Sequence, residues 1–378
     1  MLKFFLEHTD NGARTGRFET EHGIVHTPAF MPVGTQGSVK AIGPRELIQI
    51  GSEIILANTY HLFLRPGVET IHEAGGLHKF MSWDLPVLTD SGGYQVFSLS
   101  DLKRISEEGV EFRSHLDGTL QFFSPESVID IQRILGSDVM MVLDECVSYP
   151  CDLEYARKAH ELTMRWADRC KKRFQDSDNL HGFSQALFGI IQGSVFGDLR
   201  QESAHKLIDL DFDGYAIGGL SVGEPKEQMY AMTEICTDVL PSDRPRYLMG
   251  VGTPEDLLES IERGIDLFDC VLPTRNGRNA MIFSNHGTLS IKNAYYKNDF
   301  TPPDESCECY VCQNFSRAYI RHLFQSKEIL GLQLATMHNL YFYQWIMREA
   351  RKAIEQGVFS QWKNEQLQLL TNEIQIFT

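Results

Sequence analysis

The sequence predicts an α/β protein: a (β/α)8 TIM barrel with a zinc-binding subdomain inserted after the last strand and a C-terminal helical segment. Two observations carry the barrel and a third the insertion. Eight short apolar runs recur along the chain, usually followed by an amphipathic stretch. Runs with almost no polar alternation are buried on both faces, as parallel strands are. Strands of that kind alternating with helices build α/β sheets, and a count of eight favours closure over an open doubly wound sheet. Finally, Cys307, Cys309 and Cys312 fall within six residues beyond the eighth run.

Taken in order, the first 25 residues alternate weakly and are expected to form a small antiparallel cap on the barrel bottom (1–25). The barrel core is placed at 26–274. Its eight runs are Pro28–Thr35, Glu53–Tyr60, Pro86–Gly93, Asp138–Cys146, Phe188–Gly193, Tyr215–Leu220, Tyr247–Gly252 and Leu267–Pro273. Helix-like segments between them include Ser124–Leu135, Asp152–Phe174, Asp198–Leu210, Lys226–Leu240 and Thr253–Arg263. Ser124-Pro125 and Thr253-Pro254 each set a capping side chain before a proline at the first helical position. The stretch Tyr94–Phe123 is too long for a simple loop, and Asp117-Gly118 between strand-like flanks signals a hairpin. Arg275–Phe315 reads as turn-rich and β-like and opens the zinc-binding subdomain, placed at 275–340. A helical tail containing Leu330–Ile354 follows, and 341–378 is assigned to the helical segment that completes the barrel.

Composition bounds the class. Of 378 residues, 42% are hydrophobic and 23% charged, which excludes a disordered or collagen-like chain. Eight cysteines are too few for a disulfide scaffold of this length. No apolar run approaches the ~18 residues of a membrane span. The N-terminus MLKFFLEHTD lacks the basic and apolar regions of a signal peptide, so a cytoplasmic location is expected. Lys and Arg number 35 against 51 Asp and Glu, a net charge of −16. Residues 275–352 nevertheless hold ten Lys/Arg and six Asp/Glu, a local +4, so the basic charge lies late in the chain. Local charge, more than the total, decides contact with a polyanion.

The active site of such a barrel lies at the C-terminal ends of its strands. There the sequence places Asp90 after the third, Asp144 after the fourth, Gln192 after the fifth and Gly218-Gly219 after the sixth, with Met249 in the seventh and Asp269 in the eighth. Three carboxylates converging on one mouth repel one another and are costly without a task. No His-x-His pair marks the first strand, against a metal-dependent barrel hydrolase. Paired carboxylates suit chemistry at an anomeric carbon, one attacking the sugar while the other moves a proton. Cys307, Cys309, Cys312 and His338 supply three thiolates and an imidazole, a closed tetrahedral set for one structural Zn2+ per subunit. Arg275 and Arg278, directly after the eighth strand, are placed to hold phosphates of a polyanion. Arg317, Arg321, Lys327 and Arg348–Lys352 would extend that surface, or form a solvated helix face.

Together, Thr89-Asp90-Ser91-Gly92-Gly93-Tyr94-Gln95, Phe268-Asp269-Cys270-Val271-Leu272-Pro273-Thr274-Arg275, Gly218-Gly219-Leu220, Gly223-Glu224-Pro225 and the Cys307/Cys309/Cys312/His338 set resemble the tRNA-guanine transglycosylases (queuine tRNA-ribosyltransferases). The resemblance runs essentially end to end. It implies a pentosyltransferase that replaces guanine at the wobble position of tRNAs with a GUN anticodon, within queuosine biosynthesis. It implies Asp269 as the nucleophile that attacks C1′ and holds the tRNA covalently, with Asp90 as general acid/base. It also implies that Asp144, Gln192 and the backbone of Gly219 and Leu220 read the purine edge, while Tyr94 and Met249 sandwich the ring. Cys146 and Val222 match the bacterial pattern, for which the incoming base is preQ1 (7-aminomethyl-7-deazaguanine) rather than queuine. A homodimer is implied too. The sequence departs from the family at Ala280, where glycine is expected. The competing readings are a non-catalytic tRNA-binding subunit on the same fold, opposed by the presence of both Asp90 and Asp269, and a barrel glycosidase, opposed by the zinc motif and Thr274–Arg278.

Overall fold

Eight parallel strands surround a buried core in the computed structural model, which describes residues 2–99 and 103–371. They are Ala29–Pro32, Ile55–Asn58, Val87–Asp90, Val139–Met141, Ala186–Ile191, Gly214–Ile217, Arg246–Leu248 and Leu267–Cys270. Every residue of the second, third, fifth and sixth is buried, the two-sided burial that unalternating apolar sequence demands. Neighbours in the sheet are neighbours in sequence, and the eighth strand pairs with the first from Leu267↔Ala29 to Cys270↔Pro32. Closure between the first and second strands is made by the parallel bridge Val33–Leu56, with the Gly34 N–H donating to the Leu56 carbonyl at 2.6 Å.

At the N-terminal end of the barrel lies an antiparallel sheet of Phe4–Asp10, Ala13–Thr20 and Gly23–Thr27. It is pinned to the strand starts. Buried Arg14 forms an ion pair with Asp266, just before the eighth strand, and the Leu2 N–H donates to Asp213, just before the sixth. The helices between strands follow the sequence signals within a few residues: Pro125–Leu135, Leu153–Asp176, Gly197–Asp209, Lys226–Thr237 and Pro254–Glu262. Ser124 and Thr253 cap theirs as expected, each accepting a backbone N–H three residues on. The Asp117-Gly118 signal becomes the turn between Val110–Arg113 and Leu120–Phe123 in a three-stranded sheet with Lys103–Ile105.

The structure differs from the sequence reading in a few places. The fourth strand ends at Met141, so Asp144 stands three residues beyond it, and Met249 lies just past the seventh strand rather than within it. The chain from Arg275 to Arg278, expected to open a turn-rich region, belongs to the helix Leu272–Arg278. Its Asn-Gly pair is a turn signal locally, but Gly277 is where this helix lies on the long helix Ile329–Glu355. A Cβ there would stand 2.8 Å from Thr336 Cα. These two helices span the boundaries expected at 274/275 and 340/341, and residues 372–378 of the expected C-terminal segment lie outside the described residues. Ala280 sits at φ 69°, buried, which gives the physical reason a glycine is expected there.

The long helix ties the C-terminal region to the barrel. Gln344 Nε2 donates to the Phe30 carbonyl at 3.0 Å, Arg351 to that of Pro28 at 2.7 Å, and Tyr343 to that of Gly252. No described helix is long and apolar enough to cross a membrane.

Candidate active site and metal centre

Asp90 ends the third strand with its carboxylate turned into the barrel mouth. The Thr59 and Gly92 N–H groups donate to Oδ1 at 3.0 and 3.2 Å; Gln95 Nε2 donates to Oδ2 at 3.0 Å, and Asn58 donates there too. Burial, aided by the charge of Asp269, pushes this carboxyl up to about 6 against those hydrogen bonds. Asp269 is thus close enough to be felt. Its Oδ1 accepts the Tyr247 hydroxyl at 2.6 Å and the Gly250 N–H at 2.7 Å. Burial raises its pKa as well, opposed by the same two donors. Both donors engage Oδ1 and neither engages Oδ2.

Asp144 and Gln192 form one unit. Gln192 Nε2 donates to Asp144 Oδ2 at 2.7 Å, and Ser91 reaches Oδ1 at 3.4 Å. Burial holds the Asp144 carboxyl up at about 6. The Gln192 Oε1 has no hydrogen-bond partner although it is buried, an arrangement costing roughly 1–3 kcal/mol unless a ligand donor fills it. Gly219, at φ 62°, lies against that oxygen: a Cβ there would approach it to 2.3 Å. Gly93 is likewise required, since its Cβ would meet the Asp144 carbonyl at 2.9 Å. An unmet acceptor, a carboxyl raised to about 6 and the half-buried backbone at Gly219 suit the mixed donor–acceptor edge of a purine.

The other residues named from the sequence for base binding differ in exposure. Tyr94, at the start of the helix Gly93–Leu99, is 54% exposed and free to serve as a stacking surface. Met249 lies beside Gly218. Leu220 and Cys146 are buried, and burial pushes the Cys146 thiol up to about 12, making it a neutral wall rather than a nucleophile. Val222 is half-buried, with its N–H donating to Glu224 at 3.0 Å.

Beyond the eighth strand, Arg275 is exposed and Arg278 half-buried; burial and then the charge of Arg275 lower the Arg278 pKa, so the two cations are neighbours. The wider basic surface is mostly committed elsewhere. Arg317 pairs with Asp299 at 3.1 Å, Arg321 donates to the Asn293 carbonyl, and Lys352 pairs with Glu349.

The Cys307, Cys309 and Cys312 sulfurs stand 3.9, 3.4 and 3.2 Å from His338 Nδ1. All four donors lie within 4.8 Å of one another. In a tetrahedral zinc shell sulfur and nitrogen ligands are about 3.5 Å apart, so this set fits the ion. The other ring nitrogen of His338 donates to the Phe283 carbonyl at 2.6 Å, fixing the tautomer that presents Nδ1. With His338 on the long helix and the cysteines outside it, a bound ion joins the insertion to the helix that braces the barrel.

Several residues of the site were not singled out from sequence. Tyr247 is hidden mid-strand. Buried Arg200 donates to the carbonyls of Ser194, Gly218 and Gly219 at 2.7, 3.0 and 3.3 Å, shaping the turn beside Gln192. Asn58 and Thr59 carried a detectable signal, being polar residues at the end of an apolar run.

A family model described as "Queuine tRNA-ribosyltransferase" matches residues 9–372. Proteins named Queuine tRNA-ribosyltransferase are similar along nearly their whole length. That of Caldanaerobacter subterraneus subsp. tengcongensis is 58% identical over 353 residues, 93% of each chain. That of Thermoanaerobacter pseudethanolicus is 57% identical over 366 residues, 96% of each. That of Thermodesulfovibrio yellowstonii is 55% identical over 369 residues, 98% of this chain and 95% of the relative.

Proposed function

Given that the chain belongs to the queuine tRNA-ribosyltransferase family, as a bacterial-type tRNA-guanine transglycosylase of queuosine synthesis, we propose that it exchanges the wobble guanine of GUN-anticodon tRNAs for preQ1 by double displacement through a covalent Asp269–ribose intermediate. The observation that carries the chemistry is the pair Asp90 and Asp269, one carboxylate buried and the other half-buried at one mouth, the charge of Asp269 raising the Asp90 carboxyl. Oδ2 of Asp269 attacks C1′ as the C1′–N9 bond breaks and the carboxylic acid form of Asp90 gives its proton to the departing guanine, while the two donors on Oδ1 hold the Asp269 carboxylate in line. Asp90, poised at about 6, then takes the proton from N9 of the incoming base. That base attacks C1′ from the face the guanine left, and the Asp269 ester bond breaks.

Recognition of the base is assigned to Asp144, the free Gln192 Oε1 and the Gly219–Leu220 backbone, with Tyr94 and Met249 on the two ring faces. Arg275 and Arg278 supply phosphate contacts next to the nucleophile. Preference for preQ1 over queuine is assigned to Cys146 and Val222. A homodimer is supported by exposed aromatic surface on the zinc-binding subdomain, where Phe300, Phe315 and Tyr319 line an open cleft. Presence of both carboxylates opposes a purely tRNA-binding subunit.

The test is direct: incubation with labelled guanine and unmodified tRNA bearing a GUN anticodon should place label in the RNA. RNA that stays unlabelled while the protein binds it would favour the non-catalytic reading.

A further inference from the structure

Asp269 is held by a donor that comes from the middle of a strand. Tyr247 lies in the seventh strand, Arg246–Leu248, paired with Ala216 on one side and Leu267 on the other. It is 0% exposed, and its hydroxyl donates to Asp269 Oδ1 at 2.6 Å. The second donor to that oxygen, the Gly250 N–H at 2.7 Å, belongs to an exposed residue, where water can stand in for it. Water has no such access to Tyr247. Burial, then the charge and hydrogen bond of Asp269, raise the Tyr247 pKa well above its ordinary value, so the phenol keeps its proton and serves Asp269 as a donor only.

With Asp269 as the nucleophile, on which the inference rests, we propose that Tyr247 is a positioning residue whose hydroxyl keeps the covalent Asp269–ribose adduct reversible. In the forward step Oδ2 gives an electron pair to C1′, the C1′–N9 pair leaves with guanine, and Asp90 supplies the proton that guanine takes up. The carboxylate thereby becomes a neutral ester with Oδ1 as its carbonyl oxygen. In the return step the incoming base gives its N9 pair to C1′ and its proton to Asp90, and the C1′–Oδ2 pair goes back to Asp269. Oδ1 therefore shares a negative charge before and after the adduct, and carries none within it. A hydrogen bond to an ionised acceptor is roughly twice as strong as one to a neutral acceptor, so the Tyr247 donor stabilises the free carboxylate more than the ester. It makes Asp269 a better leaving group for the second displacement and a slightly weaker nucleophile for the first. In a site closed to water the difference amounts to about tenfold in the equilibrium between the two forms.

The experiment mixes the full chain with unmodified GUN-anticodon tRNA, titrates free guanine to equilibrium, and reads the adduct on a denaturing gel. Tyr247→Phe, which keeps the ring, should raise about tenfold the guanine concentration that halves the adduct. Noncovalent tRNA binding, measured in excess guanine, should stay that of wild type. The acid limb of adduct formation should also move to higher pH, because Tyr247 is the first of the two donors that oppose the rise of the Asp269 carboxyl caused by burial. A purely structural loss would lower the adduct or slow its formation at every pH without moving the guanine midpoint upward. An unchanged or lower midpoint overturns the proposal. Should Tyr247→Phe fail to fold, 3-fluorotyrosine in place of Tyr247 is a stronger donor of nearly the same shape, and the midpoint must then fall; one that does not fall overturns it equally. Absence of any adduct in the wild type overturns the nucleophile role of Asp269 as well, whereas a wild-type adduct with no shift in the variant removes only the role of Tyr247.

Discussion

Replacing Asp90 by Asn should abolish base exchange and at the same time make the protein more stable. In the fold its carboxyl is pushed from the ordinary 3.8 to about 6, so ionising it in place costs more than ionising it in the unfolded chain. At about 1.4 kcal/mol per unit, the difference of roughly two units is about 3 kcal/mol. The sign follows from proton linkage. Below the unfolded value both states are protonated and no cost arises; between about pH 4 and 6 the unfolded state releases its proton first and stability falls; above 6 the full cost is present. An asparagine resembles the protonated acid and escapes that cost. Two donors, Gln95 and Asn58, face the oxygen that becomes the new amide nitrogen, so both side-chain amides must flip to offer it their oxygens; the Gln95 Oε1 is already buried without a partner.

Denaturant unfolding of both proteins across pH 4 to 8 measures the difference directly, other titrations cancelling between them. The variant should be close to wild type near pH 4 and about 3 kcal/mol more stable above pH 6, which for a chain of 378 residues is a gain of about 4 °C in Tm. A variant less stable than wild type at pH 7.5, or a difference that does not change between pH 4 and 6, would refute the idea that burial of an ionised Asp90 is a stability cost borne for catalysis.

Asp269→Ala should eliminate the denaturant-resistant tRNA adduct seen on a denaturing gel while leaving most tRNA binding intact; an adduct that persists removes Asp269 from the nucleophile role. Cys309→Ala should lose the zinc ion of the Cys307/Cys309/Cys312/His338 centre by elemental analysis and lower Tm through the C-terminal region, with kcat per folded molecule changed little. Val222→Gly should relax a preference for preQ1 over queuine by one to two orders of magnitude, since each group that overpacks an apolar wall costs on the order of 1–3 kcal/mol. Equal kcat/KM for the two bases with the wild-type protein would show that Cys146 and Val222 do not gate the pocket.

What was legible in the sequence is what the chain states locally. An apolar run ending in Asp, or in Gly-Gly, announces both a buried strand and the polar group its end presents, which is how Asp90 and Gly218-Gly219 could be placed on one mouth. The cysteine spacing is equally local, and only His338 had to be found at a distance. What stayed hidden depends on contacts between distant segments. Tyr247 sits among apolar neighbours, and only pairing of the last two strands brings its hydroxyl to Asp269, 22 residues on. Arg200 looks like an ordinary helical cation until the fifth and sixth strands set the carbonyls of Ser194, Gly218 and Gly219 around it. Arg275–Arg278 opens a region that reads as turn-rich yet is helical, because nothing nearby in the sequence shows the long helix that Gly277 lies against. The two ends of the barrel show why this matters. The cap-side Asp138 is met by two histidines and stays ionised, whereas Asp90 and Asp144 are met by neutral amides and hydroxyls and are driven toward neutrality by burial. A carboxylate's partners, set by topology, thus decide whether it is fixed as an anion or poised to exchange a proton. Residue type alone reveals only that a carboxylate is there.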